Sequence, residues 1–248
     1  MKHWRRNAVL TITGTLVVAY FAGPILIQTP QYATIPTYGP YNVVTVGGSV
    51  SYGWGDPKGG GYLKRAFRSM STAEGMPYTI IAQEWMPTFT NYAAHLTQIR
   101  PNMVVLAYGL LDDLKAKTTI TELRLRIYRE IKAALQAGSA VLLTTPVITK
   151  ATYTEYAGIE NRYAQAEIQT ARSFHNPHVY VFDLLTQMEA YLKTHHQTYI
   201  PYMHDGWHPN AAGHALAARI LTADMERSFR RISLWMAIRR NLSWVKKL

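Results

Sequence analysis

Five short apolar or β-branched runs, residues 42–46, 78–82, 103–108, 140–145 and 179–183, alternate along this chain with segments of helical spacing. That alternation restricts the fold more than any other feature. Strands joined through helices pair in parallel, and the helices cover both faces of the resulting sheet. The run Val43-Val44-Thr45-Val46 has the continuous apolar character of a strand buried on both sides. Residues 62–73 place Leu63, Ala66, Phe67 and Met70 at helical spacing. Residues 119–137 form the clearest helix, with Ile120, Leu123, Ile127, Ile131 and Leu135 on one face and Gly138 as a stop. Further helices are expected at 91–99, 155–174, 184–193 and 210–223. A chain of 248 residues accommodates one sizeable α/β domain with appendages, and no internal repeat is evident.

Open parallel sheets bind ligands beyond the carboxyl ends of their strands. Two loops with chemical character lie at such ends. The first strand stops at Gly47-Gly48, and Ser49 follows at once, an order that lifts a hydroxyl above the sheet edge. The competing reading is a serine that merely caps the next helix. The third strand runs into Gly109-Leu110-Leu111-Asp112-Asp113 at the same rim. Late in the chain comes His204-Asp205-Gly206-Trp207-His208-Pro209-Asn210. Asp205 precedes His208 by three residues, so one turn of backbone brings the carboxylate to the imidazole. A carboxylate there fixes the tautomer and stabilises the imidazolium that forms when the ring takes a proton. A serine hydroxyl needs such a base to become a nucleophile.

These blocks resemble the SGNH (GDSL-type) hydrolase family over residues 41–223. The resemblance implies a three-layer α/β/α, flavodoxin-like fold with a parallel sheet of about five strands. It also implies Ser49 as nucleophile, His208 as general base, Asp205 as its partner, and the Ser49 N–H as one oxyanion donor. The block Asp205-x-x-His208-Pro209-Asn210 with Gly213 is its most specific part. Two blocks depart from the pattern. Where the family has a glycine after the second strand, this chain reads Gln83-Glu84-Trp85-Met86-Pro87-Thr88-Phe89, and Thr88 takes the position. Where the family has an asparagine that donates to the oxyanion, Asp112 stands. An ionised carboxylate there repels the developing charge, unless an apolar site holds it protonated or another donor, such as the Gln83 amide, completes the hole.

The appendages speak to location. Lys2, His3, Arg5 and Arg6 precede an uncharged, mostly apolar stretch at 8–27, about the length that crosses a hydrocarbon core as a helix. The charge placement puts the N-terminus inside and the remainder outside. Residues 1–27 therefore read as an uncleaved signal anchor, with a cleaved signal peptide as the alternative. Residues 28–40, with Pro30, Pro36 and Pro40, read as a linker, and 41–224 as the hydrolase domain. Residues 225–248 interleave arginines and lysines with tryptophans and aliphatic residues. That pattern suits a helix lying on a membrane, or a core-docked helix with a solvated basic face. The net charge of +11 suits anionic surfaces, and an outside location excludes nucleic acid as a partner.

No cysteine is present, which excludes disulfides and thiolate chemistry. His204 and His208 have the spacing of a metal pair, but no second cluster supports one, so neither metal nor cofactor is expected. Gly59-Gly60-Gly61 reads as a flexible loop and lacks the lysine and hydroxyl of a phosphate-binding loop. Trp54 and Trp207 flank the two catalytic blocks as walls of an acyl or sugar pocket, or as packing groups. The resulting expectation is a membrane-tethered, extracytoplasmic ester hydrolase acting on an acyl lipid or an O-acylated envelope polymer. A non-catalytic lipid or glycan binder and an acyltransferase using the same triad are the alternatives.

Overall fold

The computed structural model describes residues 40–74, 77–85 and 89–245. The expected anchor at 1–27, the linker at 28–39 and Thr88 lie outside the described residues. Strand β1 (Tyr41–Gly47) leads to helix α1 (Gly61–Glu74), β2 (Tyr78–Trp85) and α2 (Phe89–Ile99). Then come β3 (Met103–Ala107), α3 (Leu111–Ala116), α4 (Ile120–Gln136) and β4 (Ala140–Thr144). The chain closes with α5 (Lys150–Tyr153), α6 (Ile159–Arg172), β5 (Val179–Phe182), α7 (Leu184–Thr194) and α8 (Ala211–Val245).

The five strands are all parallel, in the order β2-β1-β3-β4-β5. Helices α1, α7 and α8 pack together as one layer, and α2, α4 and α6 as the other. This is the three-layer arrangement expected from the alternation. Leu63, Phe67 and Met70 of α1 and Leu123, Ile127 and Ile131 of α4 are buried against the sheet. Each such side chain contributes roughly 1.5–3 kcal/mol by leaving water. From β1 the chain goes first to β2 on one side, then returns to β3 on the other. The carboxyl ends of β1 and β3 therefore flank the switch point, where ligands bind in sheets of this order.

Several elements differ from the expectation. Strand β2 continues past Ala82 to Trp85, because Ile81 bulges out between the pairs Val43↔Ile80 and Val44↔Ala82 and shifts the phase of the strand. The helix expected at 155–174 starts only at Ile159. Gly158, at φ +71°, ends a turn before it. A separate short helix, α5, precedes that turn, capped reciprocally by Thr149 and Thr152. Helix α3 was not expected. It is short, and residues with positive φ, Leu110 and Lys117, bound it on both sides. The division at 224/225 falls inside one continuous helix: Met225 is fully buried, and Phe229 meets Tyr180 edge-on. Among the described residues no helix is long and apolar enough to cross a membrane.

Candidate active site

The serine turn begins where two strands come closest. Gly47 lies level with Trp85 on β2 and Ala107 on β3. A Cβ on Gly47 would stand 2.2 Å from the Ala107 carbonyl oxygen, so only glycine fits. Beyond it the backbone folds back on itself. The Gly48 carbonyl accepts from the Ser51 N–H at 3.0 Å and from the Ser51 hydroxyl at 2.7 Å. The Trp54 N–H donates to the Ser49 carbonyl at 3.0 Å. Ser49 thus sits in a tight turn above β1, as expected.

The histidine loop is fixed by its own hydrogen bonds and by one from the Ala151 N–H to the Gly206 carbonyl at 3.0 Å. Met203 and Pro209 form an antiparallel bridge, and the His204 N–H donates to the His208 carbonyl at 2.9 Å. Asn210 donates from its side chain to the Pro201 and Met203 carbonyls at 2.9 and 3.2 Å. Its carbonyl oxygen accepts from the Ala212 and Gly213 N–H groups at the start of α8. Within this loop Asp205 Oδ1 accepts from the Trp207 and His208 N–H groups at 2.7 and 2.8 Å. Burial alone would raise the Asp205 pKa. Those two N–H groups and the His208 imidazole outweigh it and hold the carboxyl below its ordinary value.

The two loops meet. His208 Nδ1 lies 2.9 and 2.8 Å from the Asp205 oxygens, and Nε2 lies 2.9 Å from Ser49 Oγ. A carboxylate accepts, so Nδ1 carries the proton, and Nε2 is free to accept from the serine hydroxyl. All three expected residues therefore converge at the switch point, across 159 positions of sequence between Ser49 and His208.

The expected oxyanion residues fare differently. Asp112 lies in the first turn of α3, exposed to solvent. Its Oδ2 is 3.3 Å from where a Cβ on Gly48 would stand, so a carboxylate flanks the serine turn. Gln83 is level with Thr45, four residues before Ser49, and its carbonyl accepts from the Tyr52 hydroxyl at 2.8 Å. Its side-chain nitrogen is buried without a partner among the described residues.

The loop at 55–61 is not loose as expected but is wrapped around Asp56. That carboxylate is 1% exposed, pairs with Arg65 through two hydrogen bonds of 2.7 and 3.0 Å, and accepts from the Gly59 and Gly61 N–H groups. His214, which no motif reading singled out, joins the serine turn to the helix after the His208 loop. It is fully buried on α8, accepts from the Tyr62 N–H at 3.2 Å through Nδ1 and donates to the Trp54 carbonyl at 2.9 Å through Nε2. Burial lowers its pKa, so the ring is neutral. A lone histidine on an alanine-rich helix face was the available signal.

A parallel sheet in this order, with serine, histidine and aspartate brought together at its switch point, defines an SGNH-type α/β protein. A profile described as the GDSL-like Lipase/Acylhydrolase family matches residues 45–216, more than half of the chain. The chain belongs to that family and is a carboxylic ester hydrolase of the GDSL type. Solved structures share the fold. A variant of an acetyl xylan esterase from Geobacillus stearothermophilus has 16% identity and a TM-score of 0.60, covering 78% of this chain and 97% of that one. The lipase/acylhydrolase from Enterococcus faecalis has 17% identity and a TM-score of 0.56, covering 75% and 96%. A member of the lipolytic G-D-S-L family from Veillonella parvula has 14% identity and a TM-score of 0.56, covering 73% and 96%. No curated protein sequence matches the chain.

Proposed function

We propose that Ser49, His208 and Asp205 form a catalytic triad that cleaves a carboxylic ester through an acyl-enzyme. The observation that carries this reading is the 2.9 Å approach of His208 Nε2 to Ser49 Oγ, with Nδ1 held by Asp205. Ser49 Oγ attacks the ester carbonyl carbon as its proton passes to Nε2. The carbon–oxygen bond to the alcohol breaks, and His208 returns the proton to the departing alkoxide. Water, activated by the same imidazole, then attacks the acyl group and releases the carboxylic acid and free Ser49. The Ser49 N–H is one oxyanion donor. Thr88, which follows β2 in the chain, is proposed as another. Asp112 supplies charge where a donor is wanted, so the hole is weaker than the triad that serves it.

The place of action follows from residues 1–27: the hydrolase domain is tethered outside the cytoplasm, with the basic segment 225–248, beyond its core-docked first turns, as a second contact to the membrane. An O-acylated envelope polymer or an acyl lipid is the substrate within reach of such a domain. Acetyl xylan esterases among the structural relatives favour the polymer. The test of mechanism is hydrolysis of 4-nitrophenyl acetate by the full chain and its Ser49→Ala variant. Equal rates would sink the serine assignment. Protease protection of intact cells tests the tether, since domain fragments should be released from outside.

A further inference from the structure

Trp54 leaves 61% of its surface open, yet its backbone is fixed on both sides. Its N–H donates to the Ser49 carbonyl at 3.0 Å, and its carbonyl accepts from buried His214 at 2.9 Å. Its ring centroid is 5.8 Å from that of His208, with the planes inclined by 42°. A tryptophan kept in water forgoes the stabilisation that burial of a large apolar side chain yields. Rigid seating next to the reacting atoms makes this open indole an anchor for a ligand with a flat apolar face.

The surrounding charges narrow the ligand. Asp112 is exposed against Gly48, and the Asp205 side chain is 44% exposed. The Asp112 carboxylate beside the serine turn, with Asp205 behind His208, disfavours a phosphate there, the more so as the site dries. A phospholipid headgroup is therefore disfavoured at this rim, although the whole chain carries +11. A fatty chain wants a continuous apolar wall, but the His208 ring borders Trp54, and His204 is exposed next to the neighbouring Gly55. A pyranose ring fits both demands. Its C–H face stacks on an indole, and its hydroxyls donate to carboxylates.

We infer that the alcohol part of the substrate is a neutral sugar ring seated on Trp54, with Asp112 accepting from a hydroxyl next to the ester. This rests on the triad reading above and adds the substrate class and its subsite. Trp54 enters no proton transfer; it binds the leaving group.

The test compares kcat/KM of the full chain on a neutral acetylated xylo-oligosaccharide with that on ethyl acetate, for wild type, Trp54→Ala and Trp54→Phe. Both backbone hydrogen bonds of Trp54 survive these substitutions, and the unfolding midpoint checks that the fold does. The sugar-to-ethyl ratio is expected to fall roughly tenfold in Trp54→Ala, the scale of one aromatic contact. The loss should lie mainly in KM of the oligosaccharide, with part recovered in Trp54→Phe. A ratio unchanged by Trp54→Ala would overturn the inference. So would faster release of fatty acid from anionic phospholipid vesicles than of acetate from the oligosaccharide by wild type. Ethyl acetate hydrolysis that persists in Ser49→Ala would remove the triad itself, and this subsite with it.

Discussion

The imidazole of His214 donates to the carbonyl of Trp54 at 2.9 Å, tying the serine turn to the helix that follows the His208 loop. Its other nitrogen accepts from the Tyr62 N–H, so one neutral ring holds the end of the turn and the start of α1 together. Replacing it with phenylalanine leaves a buried N–H and a carbonyl unpaired, each costing roughly 1–3 kcal/mol. Glutamine can donate and accept at once. His214→Phe is therefore expected to lower both the unfolding midpoint and kcat, and His214→Gln to recover much of each. The lowered pKa of His214 adds a pH signature. A histidine whose folded pKa lies below its unfolded value of about 6.5 contributes stability above that pH and loses it as pH falls toward the folded pKa. The midpoint of wild type should drop more than that of His214→Gln between pH 7 and pH 5. Parallel curves would show that the ring's ionisation does not matter.

Among the described residues the hydrogen bonds of the Asp205 carboxylate all go to His208 and Trp207 of its own loop, so its removal tests orientation apart from nucleophilicity. Asp205→Asn keeps the shape of the group but presents an amide, and the imidazole then favours the tautomer with its proton facing Ser49. A fall in kcat of about a thousand- to ten-thousand-fold is expected, with little change in KM. Steady-state kinetics on a 4-nitrophenyl ester measures both. A loss below tenfold would mean that the His208 tautomer is set by something else.

The convergence of Ser49, His208 and Asp205 was legible because its signals are local. Two glycines and a serine at a strand end, and Asp205 three residues before His208, are patterns that depend on a few neighbouring residues. The rest depended on contacts that spacing does not carry. Strand β2 is an edge strand, so it tolerates Gln83 and Glu84, and its bulge at Ile81 disrupts the alternation that marks a strand. Helix α3 has too few residues for its period to show. The division at 224/225 followed a change of composition, yet Ala223-Asp224-Met225-Glu226 contains no residue that stops a helix. Gly59–Gly61 read as loose because Asp56 and Arg65, nine apart, show no sequence sign of pairing.

Glu130, 2% exposed, accepts from the Tyr108 hydroxyl beside Arg126, which itself pairs with Asp113. Burial pushes the Glu130 carboxyl up to about 7, although the Tyr108 bond and the Arg126 charge pull the other way. A carboxyl whose folded pKa lies above its unfolded value stabilises the fold fully below about 4.5, and that contribution is lost as pH rises through about 7. Glutamine preserves the acceptor for Tyr108 and carries no charge to desolvate. Glu130→Gln should gain on wild type as pH rises from 5 to 8, by up to a few kcal/mol. Denaturant unfolding at both values checks it. A difference independent of pH would mean that Glu130 is ionised in the fold throughout.

Asp112 occupies the flank of the serine turn with a group that accepts but does not donate. On the proposed mechanism, the negative charge that builds on the carbonyl oxygen during attack by Ser49 meets repulsion from this side, where an amide would hydrogen-bond it. Removing one oxyanion donor costs roughly a hundred- to a thousand-fold in other hydrolases, and restoring one here is the reverse experiment. Asp112→Asn is therefore expected to raise kcat on a simple ester at pH 8, by on the order of ten- to a hundred-fold. On the sugar ester the gain should be smaller, because the carboxylate that accepts from the neighbouring hydroxyl is lost with the charge. Measuring kcat and KM on ethyl acetate and on the acetylated oligosaccharide separates the two effects. A rate on ethyl acetate that stays level or falls would place Asp112 outside the oxyanion's reach, and the hole would then have to be completed by other donors.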